Sequence, residues 1–496
     1  MHLRNNLIRL FTFGKRIACG KRIAFGKRIA FGKRIAFGML IASGVLIASG
    51  ILFSQSAGKA QEKTVFTLEQ SVATALENNP DLKTAERDLA KAKAGVWEAV
   101  STLLPSVDAN ASYQKAHIIQ ETTIPNFLKP ALGPLAPPDM PDYIRISFGM
   151  RYTFTYGATV NQSLFLGGAG WSGVRIAGAA KRAAENNLES RKQNLIYETV
   201  QSFYACLLAR DLAKVQHLAL EQAQANLDLV KKRVDAGAAS GFDRMRAQVE
   251  AANLQPEVIA ADNNYQLALT YLRMVLGMRQ DAVIEPQGEL SYVDDDFGSR
   301  PLDGIRASAL EKRPEVLAVR EQKSIASAGI AIAASQYLPK LFFQGSYSYL
   351  AMRNDQKFRD GDFSKGVTTA LSLQVPLFHG GRSTAQFQKA LLDRKIAQDL
   401  DKKVRDGIAA ETEAAYNKFD EAKQKYGAAK ESIALAEEAL RLANLMYQEG
   451  ASTQLDVLIS QLALNRARLN FAQSLFEYQM ARYGLRKAVG DLKGVL

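Results

Sequence analysis

The chain repeats itself, and that constrains its fold more than any other feature. Residues 68–80 align with residues 302–314 at an offset of 234: Leu68 with Leu302, Ala75 with Ala309, Leu76 with Leu310, Glu77 with Glu311 and Pro80 with Pro314. The same offset pairs Ala94-Gly95 with Ala328-Gly329, Leu104-Pro105 with Leu338-Pro339, and Ser112-Tyr113 with Ser346-Tyr347. A second block aligns at an offset of 213, pairing Leu164-Phe-Leu-Gly-Gly168 with Leu377-Phe-His-Gly-Gly381, Gly237 with Gly450, Asp243 with Asp456 and Gly277 with Gly490. A tandem repeat of this length means one design built twice. The two offsets differ by 21, so the first copy carries about that many extra residues between Tyr113 and Leu164. Six prolines fall there (Pro125, Pro130, Pro134, Pro137, Pro138 and Pro141), so the interval is expected to be an exposed loop.

Within each copy, short alternating segments are followed by long helical ones. Ile144, Ile146, Phe148, Met150, Tyr152, Phe154, Tyr156, Ala158 and Val160 take the even positions, while Arg145, Ser147, Gly149, Arg151, Thr153, Thr155, Gly157, Thr159 and Asn161 take the odd ones. Strict period two puts one face of a strand in an apolar medium and the other in a polar one. The segment around Val107 to Tyr113, and those around Leu341 to Tyr349 and Thr369 to Val375, alternate in the same sense. Strands are therefore expected at 105–117, 144–166, 340–350 and 366–378. Residues 169–233 and 382–447 contain no proline and are rich in Ala, Leu, Lys, Glu and Gln. As helices of about 65 residues they would each run roughly 100 Å, a length that points to coiled-coil packing. Leu455, Leu458, Leu462, Leu469, Ala472 and Phe476 form a packing seam in the last helix.

The formal charge of +13 suggests nucleic acid only until it is located. Residues 1–60 hold eleven Lys or Arg and no Asp or Glu, so the remainder carries +13 less 11, or +2, and no nucleic-acid partner is expected. That leader repeats GKRIA plus Phe or Cys over residues 14–37, continues into an apolar run at 39–53, and ends in Ala57-Gly-Lys-Ala60. Basic, apolar and small-x-small segments in this order read as a secretory signal peptide. An apolar run of about 15 residues is short of the ~20 that span a bilayer as a helix.

Two cysteines and four histidines offer no chemistry. Cys206 lies in an apolar stretch and is expected to be a buried, inert thiol. His117, His217 and His379 lack metal-ligand spacing. Gly167-Gly168 and Gly380-Gly381 are not followed by a phosphate-loop Lys, and read as hinges between strand and helix. Asp294-Asp-Asp296 reads as a solvated loop within a polar linker at 279–301. No catalytic residue, cofactor or metal is expected, and the chain is not read as an enzyme. The helical segments end in two similar turns, Asp235 to Asp243 and Gln448 to Asp456, in which Gly237 and Gly450 suit left-handed caps and Ser240, Thr453 or the aspartates suit N-caps.

Four amphipathic strands are too few to close a membrane barrel, because the smallest barrels have about eight. A barrel would need several chains. A signal peptide, a tandem repeat, four alternating strands and two helices of about 65 residues together resemble the TolC-type outer-membrane efflux family over about residues 65–490. The motifs that carry the resemblance are the Leu-Pro strand entries, the Ser-Leu-Phe-Leu-Gly-Gly and Pro-Leu-Phe-His-Gly-Gly exits (163–168 and 376–381), and the Gly-x5-Asp turns, each present twice in the same order.

The resemblance implies an α+β membrane protein: a homotrimer with a 12-stranded transmembrane β-barrel, four strands per chain, continuous with a long α-helical coiled-coil tunnel in the periplasm. It divides the chain into a signal peptide at 1–60, a first repeat at 61–278, an equatorial linker at 279–301 and a second repeat at 302–496. It implies passive conduction across the outer membrane of a Gram-negative cell, in a tripartite efflux or type I secretion system. The partners would be a periplasmic adaptor (membrane fusion protein), an inner-membrane pump of RND or ABC type, and outer-membrane lipid. Tyr152, Phe154, Tyr156, Tyr347 and Tyr349 would face the membrane. Gly237, Ala238, Asp243, Gly450 and Ala451 would meet the adaptor at the helical tips. Tyr447, Ser452 and Asp456 would line the periplasmic entrance, where three copies of Asp456 would attract cations. The chain departs from the family pattern there, with Ser452 in place of an arginine and Ile459 in place of a second aspartate. Two other readings use the same residues: a periplasmic coiled-coil scaffold whose strands form a soluble sheet, and an adaptor protein, which would carry one hairpin rather than two.

Overall fold

The computed structural model describes residues 64–295 and 300–492; the leader repeats and cleavage pattern lie outside them. The first copy opens with strand β1 (Thr64–Phe66) and helices α1 (Leu68–Asn78) and α2 (Pro80–Ser101). Thr67 starts α1 with a capping box, its hydroxyl accepting from the Gln70 N–H while the Gln70 side chain accepts from the Thr67 N–H. Asn79 then ends α1 and starts α2, its side-chain oxygen accepting from the N–H groups of Asp81 and Leu82, with Pro80 at the first helical position where no donor is needed. The side-chain amide of Asn79 also donates to the Val275 carbonyl (3.1 Å), fixing this joint to the far end of the long hairpin. At the equivalent joint of the second copy, between α6 (Leu302–Lys312) and α7 (Pro314–Ala334), Arg313 replaces Asn79 and reaches Glu411 at 2.6 Å and Glu315 at 3.2 Å.

The strands form one four-stranded antiparallel sheet in the order β2 (Ser106–Lys115), β5 (Tyr152–Phe165), β7 (Lys340–Arg353), β8 (Ser364–Gln374). Residues 144–166, expected as one strand, are two. Strand β4 (Tyr143–Ser147) pairs outside the sheet with β3 (Glu121–Pro125), and β5 begins after a break at Gly149, whose φ is +98°. The side-chain alternation runs across that break, so period alone could not reveal it. The proline-rich interval is correspondingly more than a loop: it holds β3, β4 and the short helix α3 (Leu128–Leu132). The other strands keep their expected places, with ends shifted by up to four residues.

Each half then runs into a helical hairpin, α4 (Ala169–Asp235) with α5 (Gly241–Val275), and α8 (Arg382–Gln448) with α9 (Gln454–Val489). Helices α4 and α8 have 67 residues each, or roughly 100 Å. Among the described residues no helix is both long and apolar enough to cross a membrane.

The core concentrates midway along the helices. Leu82, Phe203, Leu207, Leu272 and Leu276 are buried around Cys206, together with Phe66 and Ile284. The last two belong to β1 and β6 (Ile284–Pro286), which pair in parallel, so the linker expected to be polar contributes a strand to this core. Burial pushes the Cys206 thiol up to about 12, which keeps it protonated. Residues Tyr292 to Asp295 of the linker are held against the second copy. Tyr292 stacks between Tyr426 and Tyr478, with both ring centroids at 4.7 Å, and the Tyr478 hydroxyl donates to the Val293 carbonyl at 2.8 Å. Asp295, expected in a solvated acidic loop, is instead buried against Arg482 (2.7 Å) and Arg486 (2.9 Å) on α9. An acidic run looks solvated in sequence because its basic partners lie nearly two hundred residues away.

Removing one member of a buried ion pair strands the others in low dielectric. Asp295→Ala is therefore expected to destabilise the protein by about 3 kcal/mol, read as a lower thermal midpoint, whereas Asp294→Ala in the same run leaves that midpoint close to the parent's.

Candidate gate, hinges and sheet faces

At the tips, each long helix ends with two backbone bonds that satisfy two of its orphan carbonyls. In the first hairpin Ala238 N–H donates to Arg233 C=O (2.8 Å) and Gly237 N–H to Val234 C=O (3.0 Å); in the second, Ala451 N–H donates to Met446 C=O (2.8 Å) and Gly450 N–H to Tyr447 C=O (3.3 Å). This Schellman arrangement needs a left-handed residue, and Gly237 (φ +73°) and Gly450 (φ +75°) supply it. The following helices begin at once. Ser240 caps α5 with Asp243 as its reciprocal partner, and Thr453 caps α9 with Asp456. The Asp456 carboxylate accepts from the Thr453 N–H (2.9 Å), the Thr453 hydroxyl (2.7 Å) and the Ser452 hydroxyl (2.9 Å). These donors, led by the Thr453 hydroxyl, hold it below its usual pKa. Ser452 and Asp456 are thus brought together as a cap, and Gly237, Ala238, Gly450 and Ala451 lie exposed on the tip.

Tyr447 stands apart from them. It is 8% exposed, packed with Leu440, Ala443, Val457 and Leu464 inside the second hairpin. Its remaining face is covered from the first hairpin by Arg233, whose guanidinium lies 4.3 Å from the ring centroid and donates to the Tyr447 carbonyl at 3.4 Å. Arg233 ties the two hairpins together near the tips. Sequence reasoning missed it, because the repeat pairs Tyr447 with position 234, one residue away, and no motif marks an arginine there.

The strand-to-helix hinges are left-handed at all four glycines: Gly167 (φ +62°), Gly168 (+86°), Gly380 (+60°) and Gly381 (+80°). At Gly167 the requirement is also steric, since a Cβ there would lie 2.9 Å from both the Ser335 carbonyl oxygen and the Leu338 Cβ. This is where the first copy's exit crosses the second copy's entry.

The sheet has two unlike faces. Register places Tyr113 opposite Phe154, Tyr156 opposite Tyr349 and Ala158 opposite Tyr347, so the aromatics named from the sequence share one face. Tyr156 stacks on Tyr349 (5.0 Å between centroids), and Tyr113 on Tyr152 (6.2 Å). Phe358 and Phe363, from the β7–β8 connection, complete the cluster against Phe154. They were not foreseen, because they lie outside the alternating segments. The other face is polar: the Gln344 amide donates to Asn161 Oδ1 (3.1 Å), and Ser346 and Thr368 share a bond of 2.6 Å. Both edges, β2 and β8, have a free side, and every residue of β2 is exposed. Among the described residues no three His, Cys, Asp or Glu side chains gather as a metal site.

A family model described as outer membrane efflux protein matches residues 72–278 and 305–491. The pyoverdine export outer membrane protein OpmQ of Pseudomonas aeruginosa is 23% identical over 432 residues, covering 85% of each chain. The cobalt-zinc-cadmium resistance protein CzcC of Cupriavidus metallidurans is 23% identical over 341 residues, 68% of this chain and 78% of its own. The CmeC outer membrane channel of Campylobacter jejuni superimposes with a TM-score of 0.71 at 20% identity, over 86% of this chain and 85% of its own.

The cap at α9 yields a test of its own. Thr453→Ala removes an N-cap worth about 1 kcal/mol, so amide exchange at the start of α9 is expected to quicken. A carboxylate whose pKa is depressed on folding stabilises the folded state above its ordinary value of 3.8 and loses that effect as pH falls through the folded one. The exchange difference between the parent and Asp456→Asn should accordingly be present at neutral pH and vanish in strong acid.

Proposed function

The chain belongs to the outer membrane efflux protein family, and from that premise we infer how this outer-membrane channel of a tripartite efflux system is closed and opened. Three chains supply four strands each to a 12-stranded barrel, which continues into a helical tunnel through the periplasm. The observation that carries the reading is the sheet itself. It has one apolar face, one polar face and two unpaired edges, and glycine hinges join it to helices of 67 residues. In a bilayer every backbone donor and acceptor needs a partner, and neighbouring chains satisfy that need when β2 of one meets β8 of the next. The polar face then lines the lumen, and Tyr152, Phe154, Tyr156, Tyr347 and Tyr349 face lipid near the outer interface, where aromatic girdles lie.

Conduction through such a pore is passive, and the reading carries no catalytic step. The tips around Gly237, Ala238, Asp243, Gly450 and Ala451 meet a periplasmic adaptor, which joins the channel to an inner-membrane pump of RND or ABC type, for efflux or type I secretion. OpmQ is named for pyoverdine export and CzcC for cobalt, zinc and cadmium resistance. Cargoes that unlike on related scaffolds support placing specificity in the pump.

At the entrance, Asp456 keeps its charge because its donors favour the ionised form. Three such carboxylates form a ring that selects cations. The arginine found in the family pattern is replaced by Ser452, and Arg233 takes over its closing role by holding Tyr447 across the two hairpins. A cation–π contact is worth about 0.5–2 kcal/mol, enough to bias a resting tip closed while leaving it openable by a partner.

Planar-bilayer recording of the detergent-purified protein tests both assignments. Asp456→Asn is expected to weaken cation preference with little change in conductance, and Arg233→Ala to raise the resting conductance. Discrete channels indifferent to both substitutions would keep the channel and remove these residues from its gate. A protein that extracts without detergent and forms no channel would overturn the barrel.

A further inference from the structure

The interval added to the first copy is a built lobe. Asn126, buried at its base, donates from its backbone N–H to the Asp142 carbonyl (2.8 Å) and from its side-chain amide to the Pro141 carbonyl (2.9 Å), while its side-chain oxygen accepts from Leu128 N–H (3.2 Å). Lys129 and Asp142 add an ion pair at 2.6 Å. These bonds close the two ends of the proline-rich segment onto each other, above the β3–β4 ladder.

At its far end the lobe presents large apolar side chains: Phe127, Leu128, Leu132, Leu135 and Tyr143 are between 41% and 84% exposed. Burying one large apolar side chain gains about 1.5–3 kcal/mol, and several held close in sequence on one ordered scaffold favour a contact surface.

Its position identifies the occupant. Backbone bonds from Ala116 N–H to Arg151 C=O (2.8 Å) and from Phe148 N–H to Gln120 C=O (3.0 Å) carry the β2–β5 pairing up into the hairpin. The lobe therefore stands directly over β2, the edge that a neighbouring chain must cover. It also lies beyond the end of the sheet that holds Tyr113, Tyr152 and Phe154, so it is outside the aromatic band and on the aqueous side, where lipid tails do not reach. Two further copies of the same lobe stand over the other two seams of the trimer.

Resting on the trimeric reading above, we propose that the three β3–β4 lobes pack against one another through these apolar side chains and constrict the outer mouth of the barrel. The partner is a second copy of this chain, and the lobe supplies a second restriction in series with the periplasmic one.

The test uses L135C in the full protein, at an exposed position that folding does not depend on. Cys206 is buried and protonated, and the parent protein serves as the control for background thiols. A short bis-maleimide should give chain dimers on a denaturing gel from L135C and not from the parent. Replacing residues 126–142 with a Gly-Ser turn should raise single-channel conductance by about twofold or more, since an apolar constriction limits the flow of water and ions. Dimers with unchanged conductance would overturn the constriction. No dimers, with a dye carried by L135C quenched by brominated lipid, would overturn the proposal in favour of a membrane contact. Either failure is distinct from failure of the channel reading, because discrete conductance from the parent shows that the trimer has formed.

Discussion

The structure depends on a sheet that cannot be finished by one chain. Four antiparallel strands in the order β2-β5-β7-β8 leave two edges open, and β2 exposes every residue. In water, open edges invite uncontrolled pairing. In a bilayer they are forbidden outright, because nothing there replaces the missing partners. The tandem repeat follows from this constraint. Each copy brings one hairpin's worth of strands and one helical hairpin, so closing the sheet with three chains also closes a ring of helices beneath it. The barrel and the tunnel are set by one stoichiometry.

Transmitting that closure down the molecule falls to the hinges and the equatorial core. At Gly167 the exit of the first copy passes so near the entry of the second that no side chain fits. Midway down, the linker between the copies is bound by Tyr292, Val293 and Asp295 to α9. Below it, near the tips, Arg233 on Tyr447 crosses between the copies.

Legibility in the sequence followed the range of the interactions. Periodicity exposed the strand faces and the long helices, because it records a residue's own environment repeated many times. The repeat exposed the hinges and tips, because Gly167, Gly380, Gly237 and Gly450 are each dictated by a local backbone geometry that recurs. Three features stayed hidden. The break at Gly149 was hidden because alternation continues through it, and a change of pairing partner leaves no mark on side-chain period. Asp295 looked solvated because Arg482 and Arg486 lie at the other end of the chain. Arg233 was invisible because it acts across copies, one position out of register with its target. Each needed knowledge of which distant segment lay opposite.

The tip shows how one residue can serve local and assembled demands together. Asp456 completes a capping box, and that alone accounts for its place three residues after the cap. Yet the donors that make it a good cap also keep it ionised, so the proposed entrance ring would use a charge already fixed for local reasons. Its counterpart Asp243 has the same local role, with Ser240 in place of Thr453, and its charge is likewise held by the cap. What separates the two is the contact between hairpins: Tyr447, six residues before Thr453, receives Arg233 from the other copy, while the first copy has Val234 at the matching place. Two tips of one local design thus differ in packing through a single aromatic side chain.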